Sequence, residues 1–363
     1  MIWRCDLVPQ YEAYKEEITE AINRVLQSGR YILATEVAQF ESEFAKYIGV
    51  EHAVSVANGT DALIISLMLY GIGKGDEVIT TPFTAIPTVS AIIDTGATPI
   101  FVDVDPDTYL MDLRQVKSKI TKKTKAIIPV HIFGNVVDIK KLKEIVGETI
   151  PIIEDASQSH GSKINGIHSG SIGELGVFSF YPTKNLGAYG DGGMIVTNSS
   201  TLAEKARLLR MYGMVDYNHI VINGINSRLD ELQAAILRVK LKYLEEMNNK
   251  RNAIAARYIS ELNKDFFTHQ HIPSNVFSNY HVFVSRFKGN RDKLIQYLDD
   301  KGIQTNIYYL MPLYLQKANE FLRYQRGDFL NSEELCQEVI ALPFYPEITK
   351  SIIDEVINAI NGF

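Results

Sequence analysis

Between His52 and Ile153 the chain repeats one pattern, a short apolar run followed by a turn and a helical stretch. The runs are His52 to Val56, Glu77 to Thr80, Pro99 to Val104, Ala126 to Val130 and Ile150 to Ile153. Helical stretches lie between most of them. One opens at Asn58-Gly59-Thr60-Asp61 and carries Leu63, Ile64, Leu67 and Met68; others span Thr84 to Thr95 and Asp138 to Val146. Strands alternating with helices predict an α/β fold, with a mostly parallel central sheet buried on both faces by helices. In such sheets ligands bind at the carboxyl ends of the strands.

Two amphipathic helices are expected before this unit. Residues 10–27 carry Tyr14, Ile18, Ile22 and Val25 on one face, with Gly29 as the stop. The second runs from Thr35 with Val37, Phe40 and Phe44 inward, and ends near Gly49. Downstream, Ser227 with Asp230 fits a capping box opening a long helix through Leu229, Leu232, Ile236, Val239 and Leu244. A second set of elements follows: strands at His281 to Phe287 and Gln304 to Tyr309, and helices at Asp292 to Lys301 and Ile352 to Ile360. The chain divides on this basis into a large domain, residues 1–245, and a small α+β domain, residues 246–363.

Net charge is −6, with 37 basic against 43 acidic residues and no basic cluster, which argues against a grip on nucleic-acid phosphates. Cys5 and Cys336 form no disulfide framework, so a reducing cytoplasm is the expected location. No segment approaches the roughly 20 apolar residues of a membrane span, and the N-terminus lacks the apolar run of a signal peptide. His269 and His271 have no companions at metal-ligand spacing and are expected on the surface, so no metal site is expected.

Four features fall at expected strand ends. Asn58-Gly59-Thr60 stands between a strand and a helix, where unpaired N–H groups and the helix dipole suit a phosphate; an ordinary N-cap has the same sequence. Asp155 ends a strand in a carboxylate and is followed by Gln158 and His160. A buried carboxylate needs a partner, and a protonated pyridine nitrogen is one, although an Asp capping the next helix would read alike. Lys184 sits in a glycine-dense turn after the apolar run Leu175 to Phe180, with Ser179 beside it. Most such lysines are merely solvated; a partly buried one is a Schiff-base candidate. Asn226 precedes the long helix, as a plain turn residue or a further donor. One helix end of about half a charge does not balance a phosphate of charge near −2, so several donors are required, and Gly59, Thr60, Ser179 and Asn226 are the candidates to supply them. Phosphate cradle, ring-nitrogen acid and Schiff-base lysine together describe a site for pyridoxal 5′-phosphate. Gly71 to Gly75 lacks the spacing of a P-loop, and the glycines at 187, 190, 192 and 193 precede a strand, which excludes the dinucleotide fingerprint.

These residues resemble the DegT/DnrJ/EryC1/StrS sugar aminotransferases, enzymes of the fold-type I pyridoxal phosphate class. The resemblance rests on NGTDAL (58–63), GATPIFVDVD (96–105), PVHIFGN (129–135), EDASQSHG (154–161), FSFYPTKNLGAYGDGG (178–193) and NSRLDELQAAIL (226–237). It continues more loosely through GIQTNIYYLMPLYLQ (302–316) and ALPFYPE (341–347). It implies that Lys184 carries the cofactor and shuttles the proton, and that Asp155 keeps the ring nitrogen protonated. Gln158 would lie against the ring or its hydroxyl. Gly59, Thr60 and Ser179 would bind the phosphate, with Asn226 reaching it from a second subunit, so that a homodimer shares its active sites.

The implied reaction has two halves: glutamate converts the cofactor to its pyridoxamine form, and that amine is then passed to a keto group on a nucleotide-linked sugar. The stretches 84–89 and 181–184 look most like enzymes aminating C3 of dTDP-3-keto-6-deoxyhexoses for lipopolysaccharide or glycan biosynthesis. Many relatives carry an aromatic where Ala85 stands, which leaves Phe83 or His160 to cover that ring face. Tyr181, Tyr308 and Tyr309 are further candidates for sugar contacts; aromatic core packing accounts for Tyr308 and Tyr309 equally well. The nearest rival is a 4-aminotransferase acting on a UDP- or GDP-linked 4-keto sugar. A dehydratase branch of the family carries histidine in place of Lys184. A non-catalytic regulatory protein on the same fold would be marked by loss of Lys184 or Asp155, and both are present.

Overall fold

In the computed structural model, which describes residues 1–363, the first two helices end at the expected glycines. Helices α1 (Val8–Ser28) and α2 (Thr35–Ile48) run into Gly29 at φ 63° and Gly49 at φ 82°, left-handed backbone that glycine adopts without a Cβ penalty. The alternating unit follows as β1 (His52–Val56), α3 (Gly59–Leu69), β2 (Glu77–Thr80), α4 (Ile86–Asp94), β3 (Thr98–Phe101), α5 (Leu113–Lys119), β4 (Thr124–Ile127), α6 (Ile139–Val146) and β5 (Ile153–Asp155). After the small hairpin β6 (Lys163–Ile164) and β7 (Ile167–His168) come β8 (Leu175–Ser179), β9 (Gly193–Thr197) and α7 (Ser200–Leu209).

Strands β3-β2-β4 pair in parallel, and β5-β8-β9-β1 form a second ladder. Parallel bridges Ile127–Ile152 and Val130–Asp155 join the two into one sheet of order β3-β2-β4-β5-β8-β9-β1. Only β9 runs against its neighbours, so the sheet is mostly parallel as expected. Neighbouring strand residues feed different cores. Ile79, Ile127 and Ile152 pack into one apolar cluster, whereas Val78, Ala126 and Ile153 pack into another, as the two-residue period of a sheet covered on both faces requires. Val102 and Val104 were expected inside a strand; they lie beyond β3, fully buried, with pairing reduced to the Val102 N–H donating to Thr80 O at 2.9 Å and a bridge from Val104 to Met111.

The hairpin β10 (Met214–Asp216) and β11 (His219–Ile220) leads to α8 (Glu231–Leu241) and α9 (Leu244–Glu261). The single long helix of the sequence reading is therefore two. Its capping box does not form either: Asp230 makes no side-chain cap, and the Ser227 hydroxyl donates to Asp61 at 2.6 Å while accepting from the Ala57 N–H at 3.0 Å. Glu231 turns away to α2, where its carboxylate accepts from the N–H groups of Ala34, Glu36 and Val37 at 2.7, 2.7 and 3.0 Å. It supplies the cap that Ala34, the N-cap residue, lacks.

Beyond α9, β12 (Phe267–His269), β14 (Val284–Phe287) and β15 (Val339–Ala341) make an antiparallel sheet, while β13 (Val276–Phe277) pairs with β6. Helices α10 (Arg291–Asp300), α11 (Leu330–Glu338) and α12 (Lys350–Asn361) accompany it. Residues 304–309 form no strand; their pairing is confined to a bridge from Asn306 to Ala341. The N-terminus joins this part of the chain, with Ile2 N–H donating to Gly302 O at 2.6 Å and Gln304 N–H to Ile2 O at 2.9 Å. His269, expected on the surface, instead hydrogen-bonds Ser285 at 2.8 Å and packs on Phe283. No helix is long and apolar enough to cross a membrane.

Candidate active site

A cavity of about 240 Å³ opens at the carboxyl ends of the central strands. Its wall includes Asn58, Gly59 and Thr60 from the start of α3, Ala85, Pro87 and Thr88 from the start of α4, Asp155 at the end of β5 with Ser157 and Gln158 beyond it, and Ser179 at the end of β8 with Tyr181 and Lys184 beyond it. Seven of the candidate site residues from the sequence thus meet here: Gly59, Thr60, Asp155, Gln158, Ser179, Tyr181 and Lys184.

The cradle at α3 explains its glycine. Asn58 caps the helix by accepting from the Asp61 N–H at 2.8 Å. The N–H groups of Gly59 and Thr60, in the first turn, have no intrahelical acceptor and remain for a ligand. A Cβ on Gly59 would lie 2.7 Å from Ser179 Cβ, a separation side chains do not tolerate. The missing side chain brings the serine hydroxyl beside the helix N-terminus.

Asp155 is held as the last residue of β5, with its N–H donating to Pro129 O at 2.9 Å and its carbonyl accepting from the His131 N–H at 3.1 Å. Its carboxylate accepts from the Thr88 hydroxyl at 2.8 Å and from the Ser157 N–H at 3.2 Å. It is 5% exposed and forms no ion pair with any side chain of the chain. A carboxylate so buried favours a cationic partner. Gln158 is pinned, its carbonyl oxygen accepting from the Phe133 N–H at 2.9 Å and its amide donating to the Tyr309 hydroxyl at 3.1 Å.

Lys184 lies in the turn between β8 and β9, whose N–H at 184 donates to Tyr181 O at 2.8 Å. Burial lowers its pKa from 10.5 to about 8, with the Asp155 carboxylate pulling the other way. Removing water disfavours the ammonium more than the acid restores it. An amine that is partly unprotonated near neutrality, in a cavity with a cation-seeking carboxylate and a helix N-terminus, fits an aldehyde coenzyme bearing a phosphate and a basic ring nitrogen.

Several expected residues stand elsewhere. Phe83 does not line the cavity as a sugar or ring contact: it is 1% exposed, locked edge-on against Tyr109, Phe133 and Tyr309. His160 does not cover the face at Ala85 either, being buried against Phe178 and Phe180. Tyr308 packs beneath the Arg4 guanidinium, 5.4 Å from its ring centre, and Tyr309 touches the site through Gln158 rather than as cavity wall. Asn226 is exposed and bridges to Met211, outside the cavity of its own chain. The sequence reading missed Thr88 as the partner of Asp155. Its signal was available in Thr84 and Thr88, one helical turn apart at the start of a helix; their hydroxyls lie 3.2 Å apart.

A doubly covered, mostly parallel sheet with a buried lysine and acid at its strand ends defines an enzyme-like cofactor site. The chain belongs to the DegT/DnrJ/EryC1/StrS aminotransferase family, which it matches over residues 12–361. It is 42% identical to the dTDP-3-amino-3,6-dideoxy-alpha-D-galactopyranose transaminase of Aneurinibacillus thermoaerophilus, covering 96% of each chain. It is also 42% identical to the pleiotropic regulatory protein of Geobacillus stearothermophilus, over 99% of this chain and 97% of that one. Among solved structures it superposes on S. venezuelae DesV in complex with a ketimine intermediate, at TM-score 0.95 and 39% identity, covering 98% of this chain and 96% of that one.

Proposed function

We propose that this protein is a pyridoxal phosphate-dependent aminotransferase that converts a dTDP-3-keto-6-deoxyhexose to its 3-amino sugar, with glutamate as amino donor. The observation that carries this reading is the pairing within one cavity of a desolvated lysine and a buried carboxylate without a cation. The A. thermoaerophilus relative, by its name, makes a dTDP-linked 3-amino-6-deoxy sugar, which supports the substrate class.

Bound there, pyridoxal phosphate supplies an electron sink that makes a carbon beside nitrogen acidic enough to exchange a proton. The chain's residues do the rest. Asp155, fixed on one side by Thr88 and on the other by the Ser157 N–H, would hold the ring nitrogen and favour its protonated form. Gly59, Thr60 and Ser179 direct donors at the phosphate. Lys184 would hold the cofactor through Nζ, and the same Nζ, when free, would be the base that takes and returns the proton. Its lowered pKa brings proton uptake into the neutral range. Gln158, immobilised by Phe133 and Tyr309, lies at the cavity wall to orient the ring.

The reading includes a cytoplasmic homodimer in which Asn226 of one chain reaches the phosphate site of the other; its exposure outside its own cavity supports that assignment. It includes a small domain at residues 246–363. The regulatory name of the G. stearothermophilus relative favours a second reading, control without catalysis. Retention of both Lys184 and Asp155 in a shared cavity weighs for catalysis.

The test has two parts. Borohydride reduction of the purified protein loaded with pyridoxal phosphate should fix the cofactor to the peptide containing Lys184, and Lys184→Ala should abolish turnover with an unchanged circular dichroism spectrum. The pyridoxamine form should then regain its aldehyde absorption with 3-keto sugar nucleotides and not with 4-keto ones. Turnover surviving in Lys184→Ala would refute the lysine's role, and a response to 4-keto substrates alone would transfer the assignment to C4.

A further inference from the structure

Beside the cavity lies a polar cluster that the reaction above does not use: the buried Asn185, Asn248, Asn279 and His160, with the half-buried His281. We propose that Asn185 is a positioning residue, setting where the Lys184 amine sits by tying the lysine's turn to α9 and to residues 279–281. This rests on the reading of Lys184 as the cofactor-bearing amine.

The Asn185 side chain is 2% exposed and all of its polar atoms are engaged. Its Nδ2 donates to Asn248 Oδ1 at 2.9 Å and to the Asn279 carbonyl at 3.0 Å. Because Nδ2 faces two acceptors, Oδ1 must be the atom 3.1 Å from His281 Nδ1, and that ring nitrogen must carry the proton. The partners are themselves tied together. Asn248 and Asn279 both donate to the His160 carbonyl, at 2.9 and 3.0 Å. One amide therefore joins the turn after β8 to α9, to the approach to β14, and to the loop that follows Asp155.

The turn needs such an anchor. Gly187, Gly190, Gly192 and Gly193 crowd one side of Lys184, and glycine backbone loses more freedom on ordering than any other. Downstream, the Lys240 ammonium donates to Gly187 O at 2.5 Å and the Tyr189 N–H to Gln233 at 2.8 Å. On the lysine itself the turn offers only a local bond to Tyr181. Asn185, the next residue, is the nearest point at which Lys184 is fixed to the rest of the molecule. A turn displaced by one residue would strand several buried donors and acceptors at once, so the network admits one placement of the lysine.

The experiment uses cofactor-free protein and reads the amine itself. Acetic anhydride labels Lys184 at a series of pH values, with mass spectrometry of the Lys184 peptide giving the midpoint of its reactivity. The ionisable groups facing this amine are Asp155, His160 and His281, with Tyr181 and Asp191 on the same cavity wall. Burial holds His160 down to about 3 and keeps His281 well below its usual value. Asn185→Ala is expected to move the Lys184 midpoint upward by about one pH unit, a tenfold change in free amine at neutral pH, as the loosened turn admits water. The control is Asn252→Ala. Asn252 Nδ2 bonds Asn248 O and Ser278 O, between the same segments, but does not touch the turn; its midpoint should match wild type. A lower melting temperature for Asn185→Ala with an unmoved midpoint would overturn the proposal, as would an equal shift in Asn252→Ala. If Asn185→Ala does not fold, Asn185→Ser, which keeps a donor, is read by the same criteria. Borohydride fixation in the wild-type protein tests the identity of the lysine separately, so the two readings fail independently.

Discussion

The Thr88 hydroxyl donates to Asp155 Oδ2 at 2.8 Å, across 67 residues of sequence, and it is the only side chain to do so. Thr88 is fully buried, and its own oxygen lies 3.2 Å from that of Thr84. The start of α4 is thereby fastened to the end of β5, and the acid receives one of its two donors from a helix that also forms the cavity wall.

Thr88→Val keeps the shape and removes the donor. A hydrogen bond to a charged group contributes about 1.5–3 kcal/mol, so the loss should weaken cofactor binding or slow turnover at least about tenfold. Thr88→Ser should recover most of it. Equilibrium titration with pyridoxal phosphate and steady-state kinetics measure both; a Val variant indistinguishable from wild type would remove Thr88 from the site.

Gly59→Ala tests the phosphate cradle. The added Cβ meets Ser179 Cβ at 2.7 Å, so either the serine or the helix start must move. Overpacking of this kind costs about 1–3 kcal/mol. Here the displacement falls on the phosphate donors, and cofactor affinity should drop more than thermal stability does. Parallel titration and melting curves decide this, and a stability loss with unchanged affinity would place the phosphate elsewhere.

Burial of Lys184 predicts a pH dependence of stability in the cofactor-free protein. Its folded pKa, about 8, lies below the ordinary lysine value of 10.5. Between these values the unfolded chain binds more protons than the folded one, so stability rises with pH across that window. Below about pH 8 the cost of burying the charge is present in full. Lys184→Met removes the charge and should melt higher than wild type at pH 7, the difference shrinking as pH rises through the window. Lys240, similarly lowered by burial, contributes equally to both proteins. A difference independent of pH would contradict the buried ammonium.

Glu231→Ala should affect stability and spare the cofactor. Three N–H groups at the start of α2 lose their acceptor, two of them in buried surroundings. Unsatisfied buried groups cost about 1–3 kcal/mol each, with water recovering part of that. Denaturant unfolding should show a loss of that order while the pyridoxal phosphate titration stays unchanged.

The order of strands and helices was legible because a buried strand and an amphipathic helix each leave a periodic mark in consecutive residues. Gly29 and Gly49 announce their helix ends for a local reason, the left-handed backbone each adopts. The residues of the cavity were legible too, since Asn58-Gly59-Thr60, Asp155 and Lys184 each stand at a junction that their neighbours define. What the chain could not show locally were contacts between distant segments. Ser227 and Asp230 carry the pattern of a capping box, yet Ser227 is taken by Asp61 and the cap that forms is made by Glu231 on another helix. Phe83 carries the character of a ring-stacking residue but is drawn into the aromatic core by Tyr109, Phe133 and Tyr309. Periodicity and turn chemistry are properties of neighbouring residues, and they determined the α/β unit and the place of the lysine. Which donor reaches Asp155, and which amide anchors the lysine's turn, are settled by distances between parts of the chain far apart in sequence, and only the packed molecule decided them.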